Sequence, residues 1–472
     1  MKVLYAVAEA YPFLMTGGLG DVAGALPKAI RQNGVDCRVV LPLHSDISGE
    51  LKSKLTYLTN FNLSIGWRKQ YCGIFEAHMN DTIYYLLDNE YYFNRSGIYG
   101  HYDDGERFAF FSGAILEMLR HIEFKPDIIH SNDWHTALVP VYRNLLYGDM
   151  EEYKHLKTVF TIHNILYQGQ FGTDILTDAL GLQERDLMHL EYKGCINLMK
   201  AAIAASNAVT TVSPGYAREL KDPYYANGLE YVINEYSYKI SGILNGIDTI
   251  LYNPETDEQI AQTYSVNDIT GKSANKANLQ ELLQLPVDDS VPVMAMVTRL
   301  VGHKGLDLVN RVLDTLLSHP IQLIILGKGE AYHEDFLLKM AAKYPDKLSV
   351  TLGFLPDLAK KIYAGADLFL MPSQSEPCGL SQMVSLRYGT IPIVRETGGL
   401  GDTITDCGDG MGNGFTFKTY HELDMLDAIS RAEALYSEKE EWEILIKRAM
   451  TCDFSWRESA KAYIQLYQNL IN

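Results

Sequence analysis

Short runs rich in valine and isoleucine alternate along this chain with segments whose apolar residues recur at helical spacing. Residues 2–8 predict a buried strand, and Leu19, Val22 and Leu26, after the glycines at 17 and 18, predict a helix. Such alternation is typical of a parallel sheet covered by helices. Further strands are predicted at residues 36–43, 127–130, 158–162, 208–212, 293–298, 322–326, 349–352, 367–371 and 391–394.

The alternation falls into two sets, separated by residues 243–248 and a polar stretch at 253–276. A chain of 472 residues exceeds what one hydrophobic core usually organises. We expect an N-terminal Rossmann-like domain over residues 1–242, a C-terminal one over 243–455, and a last amphipathic helix over 456–472. Between residues 51 and 102 the alternation weakens, so that stretch predicts irregular hairpins or long loops within the first domain.

Charge and cysteine content exclude several classes of protein. The formal charge is −18, which argues against a general nucleic-acid binder and against a polybasic protein of the membrane surface. Six scattered cysteines form no C-x-x-C pair, and no apolar stretch approaches the length of a membrane span. We therefore expect a cytoplasmic protein without nucleic-acid or membrane partners.

The sequence Thr-Gly-Gly-Leu-Gly-Asp occurs twice, at residues 16–21 and 397–402. Each copy is predicted to open a helix, where free backbone N–H groups attract phosphate and glycine allows close approach. Neither copy is a dinucleotide-binding fingerprint or a Walker sequence. Two Rossmann-like domains that share a phosphate-bearing ligand would explain the repetition, and coincidence between two tight turns remains the alternative.

Two loops of the second half carry charged residues at the carboxyl ends of predicted strands. Arg299 and Lys304 follow the strand at 293–298, where doubly wound sheets bind ligands. They suit a pyrophosphate, although solvated surface cations are the plainer interpretation. Glu376 lies beside Pro377 and Gly379 in a loop that would aim its carboxylate at a ligand, unless it only stabilises a helix N-terminus.

Two polar segments of the first half also follow buried strands. One contains Asp133, Trp134 and His135, and the other contains His163. Their spacing matches no known zinc or iron site, so we predict no metal. An aromatic ring beside a carboxylate suits a sugar, although Trp134 could equally be a core residue. The tyrosine-rich segment that includes Phe93 predicts mostly strand packing, with some rings available to stack on glucan.

These motifs, in this order, closely resemble those of bacterial glycogen synthases and plant starch synthases, glycosyltransferase family 5. The resemblance implies an α/β GT-B fold, in which two Rossmann-like domains face each other across a deep cleft and the last helix crosses back to the first domain. The matching segments are residues 15–21 for K-x-G-G-L-x-D, 133–135 for D-W-H, 161–164 for T-I-H-N, 243–246 for I-L-N-G, 298–305 for S-R-L-x-x-x-K-G, 376–380 for E-P-C-G-L and 397–400 for T-G-G-L.

The resemblance also implies an activity: transfer of glucose from ADP-glucose to the non-reducing end of an α-1,4-glucan, with retention of configuration and without cofactor or metal. It assigns catalytic roles to Asp133, His163, Arg299, Lys304 and Glu376. From their aromatic character, we predict that Trp134 and Phe93 bind the acceptor. The residues that the resemblance implies for donor binding are Gly17, Gly18, Asp21, Asn245, Cys378, Gly379, Thr397, Gly398 and Gly399.

Met15 departs from the family pattern, which usually has lysine there. A missing ammonium at a phosphate site weakens binding, so a catalytically weakened glucan-binding or regulatory homologue is the alternative. A glucan phosphorylase is disfavoured because no segment resembles its pyridoxal-phosphate lysine site. Use of UDP-glucose instead of ADP-glucose stays open.

Overall fold

The computed structural model describes residues 1–472, which form two compact units. The N-terminal unit comprises Met1–Gly246 and Trp456–Asn472, and the C-terminal unit comprises Ile247–Ser455. The sequence places the first boundary after residue 242, four residues before this division.

A nine-stranded sheet organises the N-terminal unit, in the order β12-β11-β7-β6-β1-β2-β5-β4-β3. All neighbouring pairs are parallel except β3–β4 and β4–β5. A small antiparallel sheet, β8-β10-β9, lies apart from it. The strands are Lys2–Ala6 (β1), Asp36–Pro42 (β2), Thr56–Ile65 (β3), Arg68–Met79 (β4), Thr82–Asp88 (β5), Ile128–Asn132 (β6), Lys157–Ile162 (β7), Gln170–Phe171 (β8), Glu191–Tyr192 (β9), Cys195–Asn197 (β10), Ala208–Thr211 (β11) and Ile240–Gly242 (β12).

Residues 56–88 form regular strands, which corrects the prediction of irregular hairpins or loops there, whereas residues 94–103 are irregular as predicted. Strands β3 and β4 form a long antiparallel hairpin, and β5 joins it to β2. The aromatic residues there differ in exposure: Tyr84 and Tyr85 in β5 are buried, whereas Tyr57 in β3 and Tyr71 in β4 are exposed. The region therefore widens the sheet and does not interrupt it.

Helices cover this sheet, and the last helix of the chain is one of them. Trp456, Ala460, Tyr463 and Tyr467 lie at helical spacing in the core beside β1 and β2. The helices are Gly18–Gln32, Gly49–Lys52, Glu90–Phe93, Asp104–Met118, Leu138–Leu145, Ile175–Asp178, Leu187–Leu190, Leu198–Ala205, Pro214–Glu219, Glu230–Glu235 and Trp456–Ile471.

The C-terminal unit has a six-stranded parallel sheet in the order β15-β14-β13-β16-β17-β18. Its strands are Val293–Val297 (β13), Gln322–Gly327 (β14), Leu348–Leu352 (β15), Leu368–Met371 (β16), Ile391–Arg395 (β17) and Phe415–Phe417 (β18). Its helices are Gly271–Leu282, Leu306–Leu316, Ala331–Lys343, Pro356–Gly365, Ser381–Arg387, Gly398–Thr403, Glu422–Tyr436 and Lys439–Met450. None of the helices in either unit has both the length and the apolar character that crossing a membrane requires.

Candidate active site

The first glycine-rich turn lies between β1 and the helix Gly18–Gln32. Gly17 is the N-cap residue of this helix, and no side chain caps it, so the exposed turn presents unsatisfied N–H groups. Asp21 lies in the first helical turn, and burial raises its pKa to about 6. The turn that the sequence predicts for phosphate is therefore open at Gly17 and Gly18.

A buried glutamate holds this turn in place. The Glu9 carboxylate accepts hydrogen bonds from the backbone N of Thr16, at 2.5 Å, and from its Oγ1, at 2.8 Å. Burial raises the pKa of Glu9 despite these bonds. The sequence prediction missed Glu9, although a lone acid directly after a buried strand was the available signal.

Met15, the departure from the family pattern, lies over the first turn of the same helix. A Cβ atom at Gly20 would lie 2.7 Å from Met15 Cγ, so only glycine fits beneath this side chain. Met15 is half-buried, and it immediately precedes the exposed residue Thr16. Its thioether supplies neither charge nor a hydrogen-bond donor to the turn.

Asp133, at the end of β6, has a backbone conformation that strains any residue with a side chain. Its φ is 54° and its ψ is 178°, a combination that is essentially confined to glycine. Its Oδ1 accepts a hydrogen bond from the backbone N of His163 at 2.8 Å. Burial raises the pKa of Asp133 to about 7. Strain and an unfavourable burial of charge at one residue are typical of a functional position.

His163, at the end of β7, is held in one tautomer by Asn132. The Asn132 amide donates to the carbonyl oxygens of Ala6 and His130, so its Oδ1 faces His163 Nε2 at 2.9 Å. The hydrogen-bond network therefore places the proton on Nε2 and leaves the Nδ1 lone pair as an acceptor. Burial lowers the pKa of His163 to about 3. Asn132 is a second residue that the sequence prediction missed.

The two predicted acceptor residues differ sharply in accessibility. Phe93 is completely buried and packs against Phe110 and Phe111, so the prediction that it binds the acceptor is wrong. Trp134 is half-buried, and its ring lies edge-on to Phe108 with centroids 5.1 Å apart. Trp134 therefore keeps a surface that an acceptor could contact, whereas Phe93 has none.

Asn245 lies beyond β12, in the segment predicted from I-L-N-G. Its backbone N donates to Val212 O at 3.3 Å, and its side chain is buried. The side-chain oxygen Oδ1 has no hydrogen-bond partner within the protein. A buried acceptor without a partner is costly, which is expected where a ligand supplies the donor.

In the C-terminal unit, Lys304 and Glu376 form a close ion pair. Lys304 Nζ donates to Glu376 Oε2 at 2.6 Å, and Ser373 Oγ donates to the same oxygen at 3.0 Å. The side chains are only 16% and 8% exposed. Lys304 is thus not a solvated surface cation, the plainer interpretation left open by the sequence. Arg299, which follows β13, is exposed.

The loop that carries Glu376 packs backbone to backbone on the second glycine-rich turn. The N of Gly399 donates to Glu376 O at 3.1 Å, and a Cβ at Gly399 would lie 2.2 Å from Cys378 O. Gly379 has a φ of 72°, and Gln382 Nε2 donates to the carbonyls of residues 378 and 379. Thr397 and Gly398 begin the short helix Gly398–Thr403 and are buried with it. One rigid element therefore holds the carboxylate and the turn together.

Phe354 is a further candidate that the sequence prediction missed. The residue is 77% exposed and lies two positions after the end of β15, at the same edge of the sheet as Arg299 and Lys304. The carboxyl edge of a parallel sheet is where doubly wound sheets bind ligands, so this ring is placed to contact one. The structure contains no group of three or more His, Cys, Asp or Glu side chains placed to hold a metal ion.

Comparison with known proteins agrees with the two-unit architecture. The family model for the starch synthase catalytic domain matches residues 2–235, and that for glycosyl transferases group 1 matches residues 281–449. The glycogen synthase of Geobacillus thermodenitrificans is 50% identical over 475 residues, covering 100% of this chain and 98% of the relative. That of Bacillus anthracis is 47% identical over 476 residues and covers both chains completely.

Solved structures give the same result. The catalytic domain of starch synthase IV from Arabidopsis thaliana, bound to ADP and acarbose, has a TM-score of 0.92 and 34% identity, covering 100% of this chain and 99% of that one. Sucrose-phosphate synthase from Thermosynechococcus elongatus has a TM-score of 0.62 and 16% identity over 99% and 98% of the two chains, which shows likeness of fold alone. The two α/β units are those of a GT-B glycosyltransferase, and the chain belongs to the glycogen and starch synthases of glycosyltransferase family 5.

Proposed function

We propose that this protein elongates α-1,4-glucan by moving glucose from ADP-glucose to the 4-hydroxyl of the non-reducing end, with retention of configuration. The observation that carries the proposal is the Lys304–Glu376 pair, buried beside a glycine-rich turn that suits phosphate. A cation next to a carboxylate suits a substrate that joins a phosphate to a sugar. The relatives named glycogen synthase support the same reaction.

The C-terminal unit would hold the donor. Arg299 and Lys304 would neutralise the pyrophosphate and the charge that develops on it as the sugar leaves. The glycine-rich turn of Thr397, Gly398 and Gly399 would lie against the phosphates, with the N–H groups of Thr397 and Gly399 already donating to Arg395 O and Glu376 O. The sugar hydroxyls would bind to Glu376 and to the backbone at Cys378 and Gly379. Phe354 would offer its exposed ring to the adenine base, since aromatic rings stack readily on bases.

The N-terminal unit would hold the reacting sugar and the acceptor. His163, neutral and accepting through Nδ1, would bind a sugar hydroxyl, and Asp133 and Asn245 would complete that site. Gly17, Gly18 and Asp21 would contribute the open turn at the donor, and Trp134 would contact the acceptor. In the transfer, the bond from the anomeric carbon to the phosphate oxygen breaks, and a bond to the acceptor oxygen forms. The acceptor proton passes to the leaving phosphate.

We further propose that the reaction needs no organic cofactor and no metal, and that the protein works in the cytoplasm without nucleic-acid or membrane partners. The resemblance implies the first statement, and the charge of −18 argues for the absence of nucleic acid. Glycogen-dependent release of ADP from ADP-glucose, measured with and without a chelator, tests the proposal. We expect release in both samples; release from neither ADP-glucose nor UDP-glucose by folded protein would refute it.

Replacing Met15 with lysine tests the residue that fits the family pattern least. The side chain lies over the helix that carries the open turn, so a lysine ammonium would add charge and donors there. We expect kcat/KM for ADP-glucose to rise about tenfold, the size of one charge-assisted hydrogen bond. The gain should shrink with added salt, because screening weakens an exposed charge.

Met15→Leu is the matched control, because it keeps an apolar side chain of similar size. Its kcat/KM should equal that of the natural protein. An unchanged or lower value for Met15→Lys would show that Met15 is no defect and that another group already compensates for the missing lysine.

A further inference from the structure

Trp67, at the tip of the β3–β4 hairpin, is a large aromatic residue whose ring is exposed and yet firmly held. It is 77% exposed. Its indole Nε1 donates to Asp178 Oδ1 at 2.7 Å, and the Arg68 guanidinium lies 4.5 Å from the ring centroid. One face of the ring therefore rests on a cation, and the other faces solvent.

The groups behind the ring are themselves fixed. Arg68 donates to Asp178 Oδ2 at 3.0 Å, and its Nε lies 3.0 Å from Glu106 Oε1. The buried Tyr92 hydroxyl donates to that same glutamate oxygen at 2.6 Å. Such a network loses little side-chain entropy when a ligand binds, because the ring is already immobilised. We call the open face of Trp67, supported by Arg68 and Asp178, the platform.

The platform lies at the same edge of the sheet as the N-terminal site residues. Strand β3 runs parallel to β1 and β6, because β4 is antiparallel to both β3 and β5 and β5 is parallel to β2. The turn that carries Trp67 therefore lies at the carboxyl edge, as do Asp133 and His163. Five strand spacings separate β3 from β6 in the sheet, ~24 Å at the usual spacing.

Packed side chains connect Trp134 with the segment that holds the platform. The Trp134 and Phe171 rings have centroids 5.8 Å apart, and Phe171 and Ile175 both lie within 3.2 Å of a Cβ built at Gly105. The helix Ile175–Asp178 then leads to the carboxylate that holds the Trp67 indole. The exposed residues along this path are polar and include no lysine or arginine between 171 and 180.

We propose that Trp67 is a remote subsite for the acceptor glucan, which stacks a glucosyl ring on the open indole face while the chain end reacts near Trp134. This inference rests on the proposed function. The occupant is a neutral polysaccharide because the path is uncharged or acidic, which disfavours a nucleotide or another anion. A disaccharide is shorter than the distance between the two sites, whereas an outer chain of glycogen spans it.

The test compares Trp67→Ala with the natural protein on glycogen and on a short acceptor such as maltotriose. We expect KM for glycogen to rise about 2- to 10-fold, the range for one aromatic contact, with kcat and the maltotriose constants unchanged. Trp67→Phe, which keeps a ring, should recover part of the glycogen affinity. Migration in glycogen-containing gels should follow the same order.

Tyr238→Ala is the matched control, because Tyr238 is 81% exposed but precedes β12, at the opposite end of the sheet. It should leave both constants unchanged. Equal effects of Trp67→Ala on both acceptors, no effect on glycogen, or a changed sedimentation coefficient, which would indicate a contact between two copies, would each overturn the proposal. If the natural protein transferred glucose to no acceptor at all, the proposed function itself would be refuted.

Discussion

Lys304→Ala should lower kcat/KM for ADP-glucose by about 100-fold or more, because it removes the cation that balances the departing phosphate. It should also destabilise the C-terminal unit by ~1–3 kcal/mol, since the buried Glu376 carboxylate keeps only Ser373 as a side-chain donor. The solvated surface cation that was the plainer interpretation of the sequence is therefore not what the structure contains. Steady-state kinetics and the free energy of unfolding measure the two effects.

Adding Glu376→Gln to Lys304→Ala separates the two roles of the pair. The neutral amide removes the unpaired charge, so the double variant should recover most of the lost stability without recovering activity. Arg299→Ala is a useful comparison, because Arg299 is exposed and its loss should reduce kcat/KM with little change in stability. Near-normal kinetics in Lys304→Ala would show that its contact with Glu376 is purely structural.

Asp133→Asn should lower kcat/KM by about 10- to 100-fold, because an amide cannot form the charge-assisted hydrogen bond of a carboxylate to a sugar hydroxyl. The same change should stabilise the protein at neutral pH by ~1–3 kcal/mol, since burial raises the pKa of Asp133 to about 7 and its charged form is unfavourable. The asparagine Oδ1 can still accept the backbone N–H of His163.

The pH dependence of this stabilisation follows from the direction of the pKa shift. The folded protein holds the Asp133 proton up to about pH 7, whereas the unfolded chain releases it near the ordinary aspartate pKa of 3.8. The natural protein therefore loses stability relative to Asp133→Asn as pH rises from about 4 to 7, with no further change above. Unfolding curves at pH 4 and pH 8 measure the difference; an equal difference at both values would contradict the buried-charge account.

The regular α/β core could be predicted from sequence because its strands are short, continuous apolar runs. Observed β2, β7 and β13 differ from the predicted strands by one residue at an end. The region of β3 to β5 could not be predicted this way, because tyrosines on its wet and buried faces look alike in sequence. Phe93 was assigned to the acceptor for the same reason: the sequence does not show which aromatic residues the sheet covers.

The sequence predicted only those site residues that belong to a recognisable motif. Glu376 and Lys304 were singled out from two segments more than seventy residues apart, but their direct contact depends on the order of β13, β16 and β17 in the sheet. Asn132 acts by orienting the His163 ring, so no pattern of reactive residues identifies it, whereas Glu9, which orients the Thr16 turn, left only the signal of a lone acid after a strand. Trp67 was missed because Asp178, which binds its indole, and Glu106, which holds Arg68, lie far from it in the sequence.

Analysis of the product tests the central claim most directly. Purified protein would be incubated with ADP-glucose labelled in the sugar and with glycogen, in the presence of a chelator. We predict one labelled glucose added to the glucan for each ADP released, and its complete removal by an exo-acting hydrolase specific for α-1,4 linkages. Release of ADP with free glucose and no label in the glucan, or label that resists that hydrolase, would contradict the account.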